Sequence, residues 1–354
     1  MKQLTLEALG FDAWFAVQSG AGVLDGSEIA RVSAVDRGAY RVLSEKGEAT
    51  AELAGRLTYM SDDPAELPCV GDWVIVRFYN EGGEAIIHQM LPRRTFLRRK
   101  TAGESVDLQM IAANIDIAFI VQSCHFDFNP RRLERYLVMA ADGHVEPVVL
   151  LTKTDLVSVE ELEEKIAALA ALTTARILPL SNVSGDGFEA FHQALPTGKT
   201  CCLLGSSGVG KTTLINRLMG RETFATGGVS GTGEGTHTTT RRQLILLDQG
   251  SLLIDTPGMR ELGIVGVGDG VDASFSELAQ LASRCRYADC SHAHEPGCAV
   301  RAAIETGELS AERFASYLKL RKESDFHELS YLDKRKKDKA FSRMVKTAKK
   351  LKKH

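Results

Sequence analysis

Eight consecutive residues carry the clearest chemistry in this 354-residue chain. Gly205-Ser206-Ser207-Gly208-Val209-Gly210-Lys211-Thr212 satisfies G-x-x-x-x-G-K-[ST] at every position. Glycines let backbone N–H groups converge on phosphate oxygens, and a following helix N-terminus adds a favourable dipole. Lys211 is positioned to reach β- and γ-phosphates and Thr212 to ligate Mg²⁺. Thr213 continues the segment into the apolar run Leu214-Ile215. The apolar stretch Thr200 to Leu204 precedes it, so the pattern is strand, loop, helix.

Two further motifs narrow the ligand. Asp255-Thr256-Pro257-Gly258 follows the apolar Leu252-Leu253-Ile254 and has the D-x-x-G form of a nucleotide switch, with Asp255 holding Mg²⁺ through water. Thr152-Lys153-Thr154-Asp155 follows Val148 to Leu151 and stands where an N-K-x-D base-reading motif would. A carboxylate there accepts from both N1–H and N2–H₂ of guanine, whereas adenine leaves it unpaired, at a cost. Lys153 and Asp155 therefore oppose an ATP-dependent enzyme. Thr152 replaces the usual Asn, so a shorter hydroxyl must hold the loop, and a somewhat weaker grip on the base is expected. Ser181-Asn182 follows Ile177 to Leu180 at the place of a final S-A-x motif, with Asn182 a second departure.

A separate cluster points to a metal. Cys285-x₄-Cys290-x-His292-x₅-Cys298 supplies three thiolates and an imidazole, a closed tetrahedral set for structural zinc. His294 is a spare that spacing alone leaves open. The chain has seven cysteines, an odd number that argues against a disulfide framework. Cys69, Cys124, Cys201 and Cys202 read as buried apolar residues.

The order of the motifs is informative. In ordinary Ras-like GTPases the phosphate loop comes first and the base-reading motif near the end. Here 152–155 and 181–182 precede 205–212 and 255–258. That is a circular permutation, and flanking segments at both ends must tether elements that are internal in the parent fold.

The elements that position these residues follow from periodicity. From about residue 105 apolar strands alternate with helices: strands at 115–121, 147–151, 177–180, 201–204, 244–247 and 252–254, helices at 131–141 and 157–172. This predicts an α/β domain with a largely parallel sheet. Before it, residues 28–90 hold about five short strands, among them Arg41 to Leu43, Asp72 to Phe78 and Ala85 to His88. Turns at Lys46-Gly47 and Gly82-Gly83 separate them. An OB-fold or another small β-barrel, SH3-like included, fits equally well. Residues 91–100, LPRRTFLRRK, read as a basic linker. After about 267 the chain is helical around the Cys/His cluster. Expected boundaries are 1–95, 96–266 and 267–354.

Composition is ordinary for a globular protein, with 44% hydrophobic and 25% charged residues, which excludes a disordered chain or a disulfide mini-protein. Net charge is −3, yet residues 319–354 carry 14 Lys/Arg against 5 Asp/Glu. A mildly acidic body with a basic tail suggests a polyanionic partner. Lys334 to Lys337 and Lys349 to Lys353, interleaved with Phe341, Met344, Val345, Ala348 and Leu351, predict an amphipathic basic helix. The first ten residues hold no long apolar run and no stretch of 18 apolar residues occurs, so a cytoplasmic monomer without membrane contact is expected.

With Asn129-Pro130-Arg131-Arg132, Gly205 to Thr213, Gly235-Thr236-His237-Thr238-Thr239-Thr240, Asp255 to Glu261 and Cys285 to Val300, the chain resembles the circularly permuted, small-ribosomal-subunit-dependent GTPase family (RsgA, also called YjeQ). The resemblance implies a multidomain protein with an N-terminal OB-fold, a central permuted P-loop GTPase and a C-terminal helical zinc domain. It further implies GTP hydrolysis in late maturation of the bacterial small subunit, with rRNA as partner, and it favours His292 over His294. A Gln usually follows D-x-x-G to orient the attacking water. Met259 stands there and lacks the means. The nearest candidate is His237, in a segment rich in glycine (Gly227, Gly228, Gly231, Gly233, Gly235), and the resemblance points to the same residue. One of Thr238 to Thr240 is expected at the γ-phosphate and Mg²⁺. The rival expectation is a passive RNA-binding assembly factor that senses GTP without useful turnover.

Overall fold

The computed structural model describes residues 4–20, 26–36, 39–61, 63–100, 108–220, 242–256 and 267–325. His237, Thr238 to Thr240, the glycine run 227–235, Gly258, Met259 and the basic tail 334–354 lie outside the described residues.

Residues 4–20 end in a short helix α1 (Ala13–Ser19), capped by the Asp12 carboxylate. Strands β1 (Glu28–Asp36), β2 (Ala39–Ser44) and β3 (Gly47–Leu53) form a meander. Helix α2 (Gly55–Met60) leads to β4 (Trp73–Tyr79) and β5 (Glu84–Met90). The pairing runs β1-β2-β3-β5-β4 and returns to β1, which closes a five-stranded barrel of OB type. β3 and β5 pair in parallel, the other neighbours antiparallel. Alternation puts Ala30, Val32, Val42, Ala49, Ala51, Val74, Val76, Ala85 and Ile87 inside, and the alanines on β3 and β5 keep the interior narrow enough to fill.

The expected basic linker is not a linker. β6 (Phe96–Lys100) pairs antiparallel with β7 (Leu108–Ala113), and its arginines are tied down. Arg93 grips Asp72 with two bonds, at 2.9 and 2.8 Å, and the Ala65 and Leu67 carbonyls. Arg94 reaches Asp12 and Asp116, Arg98 pairs with Asp142, and Arg99 bonds Gln109. These charges seam the barrel to the neighbouring α/β layer instead of forming a solvated run.

That second layer is built from β8 (Ile117–Ser123), α3 (Pro130–Asp142), β9 (Glu146–Thr152), α4 (Val159–Ala170), β10 (Arg176–Pro179), α5 (Phe188–Gln193), β11 (Thr200–Leu204), α6 (Lys211–Leu218), β12 (Gln243–Leu246) and β13 (Leu252–Asp255) in sequence. Their strand order is β10-β9-β8-β11-β13-β12, parallel except for β12. β11 comes after three strands in the chain yet lies at the centre. The chain winds outward from β8, returns to the middle, then fills the other side. The loop after β11 therefore opens at a switch in winding direction, where α/β sheets take their ligands. Among the described residues, the pair Ala34 to Gln243 joins this sheet to β1 of the barrel.

The last layer is helical: α7 (Gly268–Ser274), α8 (Ser276–Ala282), α9 (Ala299–Thr306) and α10 (311–325). It rests on α3. Val138 of α3 is buried with Val267, Val271 and Phe275. Gly270 permits the approach, since a Cβ there would meet the Val138 carbonyl oxygen at 2.6 Å. Arg313 bonds Glu134 of α3 at 2.7 Å and Glu277 at 2.8 Å while lying 3.8 Å over the Phe275 ring, and Arg135 forks onto Glu323. No helix among the described residues is long and apolar enough to cross a membrane.

Candidate functional site

β11 is wholly buried and delivers the chain into the glycine loop at the sheet's carboxyl edge. Gly205, Gly208 and Gly210 have φ of 152°, 79° and 99°, the left-handed side that side chains resist. Gly210 caps α6 without any side-chain bond to its first N–H groups, which leaves them for an anion. Lys211 folds back over the loop: its Nζ donates to the Gly205 carbonyl at 2.7 Å and the Ser206 carbonyl at 2.6 Å. Burial lowers the Lys211 pKa to about 8 against the opposing pull of Asp255 and Asp127. Asp255, at the end of β13, is buried too, and desolvation raises its pKa to about 6 against the pull of Lys211. The Thr256 hydroxyl donates to the Leu203 carbonyl and pins β13 to β11. Thr212 and Thr213 lie on the first turn of α6, Thr213 exposed.

The T-K-T-D segment lies beside this loop. β9 delivers Thr152, whose fully buried hydroxyl lies 2.7 Å from the Val209 carbonyl and 3.1 Å from the Gln122 carbonyl. A hydroxyl has one proton, and the nearer acceptor takes it. The shorter side chain thus ties this loop to the glycine loop. Lys153 adopts the left-handed conformation (φ 61°) and turns the chain into a single 3₁₀ turn containing Thr154 and Asp155. Asp155 is exposed, and its Oδ1 accepts the Ser181 hydroxyl. The Ser181 oxygen in turn accepts the Val183 and Ser184 N–H groups, so the loop after β10 is folded around it. Asn182 Nδ2 lies 3.5 Å from the Gly210 carbonyl, and its Oδ1 is buried without a partner among the described residues. The structure thus assembles 152–155, 181–182, 205–213 and Asp255 from four separate strand ends.

The Cys/His cluster forms between α8 and α9. The ligand atoms of Cys285, Cys290, His292 and Cys298 all lie within 4.8 Å of one another. His292 Nδ1 is 3.6 Å from Cys285 Sγ and 3.5 Å from Cys298 Sγ, and those two sulfurs are 3.9 Å apart. Tetrahedral zinc, with Zn–S about 2.3 Å and Zn–N about 2.0 Å, spaces sulfur pairs by about 3.8 Å and sulfur–nitrogen pairs by about 3.5 Å. The donor set fits. A left-handed backbone (φ 62°) turns His292 into the cluster, while the N–H of His294 donates to Glu295.

Comparison with known proteins fits this arrangement. A model of the RsgA GTPase family matches residues 90–265. The small ribosomal subunit biogenesis GTPase RsgA of Opitutus terrae is 43% identical over 334 residues, covering 91% of this chain and 90% of that protein. This chain belongs to the RsgA GTPase family. RsgA 2 of Lactiplantibacillus plantarum is 41% identical and covers 92% of both chains. Among solved structures, YjeQ from Thermotoga maritima superposes with a TM-score of 0.62 at 26% identity, over 84% of this chain and 98% of that one. YloQ, described as a circularly permuted GTPase, superposes with a TM-score of 0.60 at 23% identity over 85% and 96%, a likeness of fold. The protein is thus an OB-type barrel, a permuted GTPase fold and a helical region with a Cys₃His cluster, as the RsgA resemblance implied.

Sequence reasoning missed several residues at the RsgA site. Gln122, at the end of β8, bonds both the N–H and the carbonyl of Asn129 and fixes the start of α3. Asp127 and Arg132 pair with one another next to Ser206, and Arg132 Nη1 reaches the Ser206 hydroxyl at 2.6 Å. The Asn-Pro start of a helix marked the element, but no spacing rule connects 127–132 with 206.

Proposed function

We propose that this protein hydrolyses GTP and acts with the small ribosomal subunit and its rRNA in subunit biogenesis, as a cytoplasmic enzyme. The observation that carries the reading is the Thr152–Val209 bond. It fastens a carboxylate loop suited to guanine directly to a glycine loop suited to phosphate. Asp155, braced by Ser181, takes the guanine N1–H and N2–H₂. The base itself covers this exposed carboxylate, and only guanine then leaves it fully paired. The Asn182 amide, whose Nδ2 faces Gly210 and whose Oδ1 has no partner among the described residues, supports a ligand at that end. Loop residues Gly205 to Gly210 and the start of α6 hold the phosphates, with Lys211 exchanging carbonyl partners for phosphate oxygens.

The Thr212 hydroxyl, on the first turn of α6, and the buried Asp255 carboxylate, at the end of the adjacent β13, are the residues that would hold Mg²⁺, which would neutralise charge on the phosphates. The Cys₃His set holds one structural zinc ion. His237 is assigned to the attacking water on sequence grounds, because Met259 has no polar group for it.

The test is GTP turnover by the purified protein with and without small subunits. A several-fold stimulation by subunits, with ATP binding far weaker than GTP, supports the reading. Equal affinity for ATP and GTP overturns the base assignment, and absence of turnover under both conditions leaves the passive assembly factor.

A further inference from the structure

Arg132 has an unusually fixed place for a charged residue on a surface helix. It is the third residue of α3, and its own N–H donates to the Asn129 cap at 3.0 Å. Gln122 holds Asn129 in turn, through its bonds to the Asn129 N–H and carbonyl. The guanidinium lies between the Asp127 carboxylate and the Ser206 hydroxyl, with about a third of the side chain exposed.

The glycine loop has two distinguishable ends. Thr152 and Asn182 approach Val209 and Gly210, which marks the base end. Lys211 Nζ sits on the Gly205 and Ser206 carbonyls, and the lysine of such loops reaches the β- and γ-phosphates. Ser206 therefore belongs to the terminal-phosphate end, and Arg132 is fastened there. Asp127 is close enough to Lys211 for its charge to act on it. Left alone, that carboxylate would repel an incoming terminal phosphate.

We infer that Arg132 is a positioning residue for the terminal phosphate, exchanging its bond to Asp127 for the γ-phosphate and so making the site tell a nucleoside triphosphate from a diphosphate. This rests on the GTPase reading. GTP carries about one more negative charge than GDP, and its terminal γ-phosphate, which GDP lacks, bears about two. A cation at the Ser206 end therefore acts mainly on GTP, whereas the base loops act on both nucleotides alike. Arginine suits the task because its planar fork can serve a hydroxyl and an oxyanion together.

The experiment measures affinity for GDP and for a non-hydrolysable GTP analogue with Mg²⁺, by calorimetry, on the full chain. Arg132→Ala is expected to weaken the analogue by about tenfold or more, the loss of one charge-assisted bond, and GDP by less than about threefold. Arg132→Lys, which keeps the charge but not the fork, should recover only part of the analogue's affinity while GDP stays within about threefold of wild type. Asp127→Asn, which folds without losing any cation, should shift the ratio toward the triphosphate. Equal losses for both nucleotides in Arg132→Ala overturn the inference. So does a wild-type ratio in Asp127→Asn combined with Arg132→Ala, since Arg132 would then only neutralise Asp127. A wild type that binds neither nucleotide overturns the GTPase reading itself, and this inference with it.

Discussion

Replacing Thr152 by valine removes one buried proton donor and leaves the side-chain shape almost unchanged. The hydroxyl is wholly buried, 2.7 Å from the Val209 carbonyl. In the variant that carbonyl keeps its desolvation cost without its bond, worth about 1–3 kcal/mol. The bond exists before any nucleotide arrives, so part of the loss falls on the fold. At roughly 2–4 °C per kcal/mol for a unit of this size, melting drops by at most about 12 °C, the limit at which the whole loss falls on the fold. The remainder falls on binding, because the nucleotide must then align two loops that the hydroxyl had aligned. That loss has a ceiling of about 150-fold, the equivalent of 3 kcal/mol. GDP and GTP share the base and the first two phosphates, so both should weaken by the same factor. Scanning calorimetry gives the first quantity and titration calorimetry with GDP and a GTP analogue the second. Unchanged melting together with unchanged affinities would refute the reasoning. A changed GTP-to-GDP ratio would also refute it, by putting the hydroxyl's influence at the terminal phosphate.

Three further substitutions probe other parts of the molecule. Asp155→Asn turns an acceptor into a donor and should weaken GTP by about 2–3 kcal/mol while favouring xanthosine nucleotides, whose C2 carbonyl suits an amide; nucleotide competition measures it. The purified protein should hold about one zinc per chain, and Cys290→Ser should lose it and loosen 267–325 while the glycine loop still binds nucleotide; metal analysis and calorimetry decide. Arg31 is fully buried and donates to the carbonyls of Leu9, Gly71 and Asn114, so Arg31→Met, which strips the Leu9 and Asn114 carbonyls of their donor and leaves Gly71 only the Asn114 amide, should destabilise the chain by about 2 kcal/mol or more in denaturant unfolding.

The motifs were legible because each is made of residues close together in sequence. The glycine loop, the T-K-T-D segment and the cysteine spacing are all local devices, and their order along the chain was enough to imply permutation. The strands were legible for the same reason, since a two-residue alternation or a wholly apolar run is a local pattern. Charge was different. Arg93, Arg94, Arg98 and Arg99 form as dense a basic run as the tail, yet their partners are Asp72, Asp12 and Asp116, Asp142, and Gln109. Most of these lie 20 residues or more away in the chain, so composition alone registers the cations and not the bonds. The same blindness hid the contact made by Arg132, whose hydroxyl partner lies 74 residues on, and those of Arg31, whose partners are backbone carbonyls that any sequence contains.

Such distant pairs also join the glycine loop to the helical region. α3 carries Arg132 at the glycine loop on its first turn, then presents Glu134 and Arg135 to Arg313 and Glu323 of the last helix. One helix of thirteen residues thus touches the phosphate loop and braces the region that holds the Cys₃His cluster. Glu134 and Arg313 are both nearly inaccessible to solvent, and Arg313 has Glu277 as a second partner, so it is removal of Arg313 that strands a charge, the Glu134 carboxylate, at a cost of about 3–5 kcal/mol. Arg313→Ala should therefore lower the protection of 267–325 in hydrogen exchange far more than that of the sheet. If nucleotide binding moves α3, adding a GTP analogue should change exchange in the same helices in the wild type and not in the variant. Identical exchange in both proteins, with and without nucleotide, would show that α3 is a rigid brace that carries no signal between the two sites.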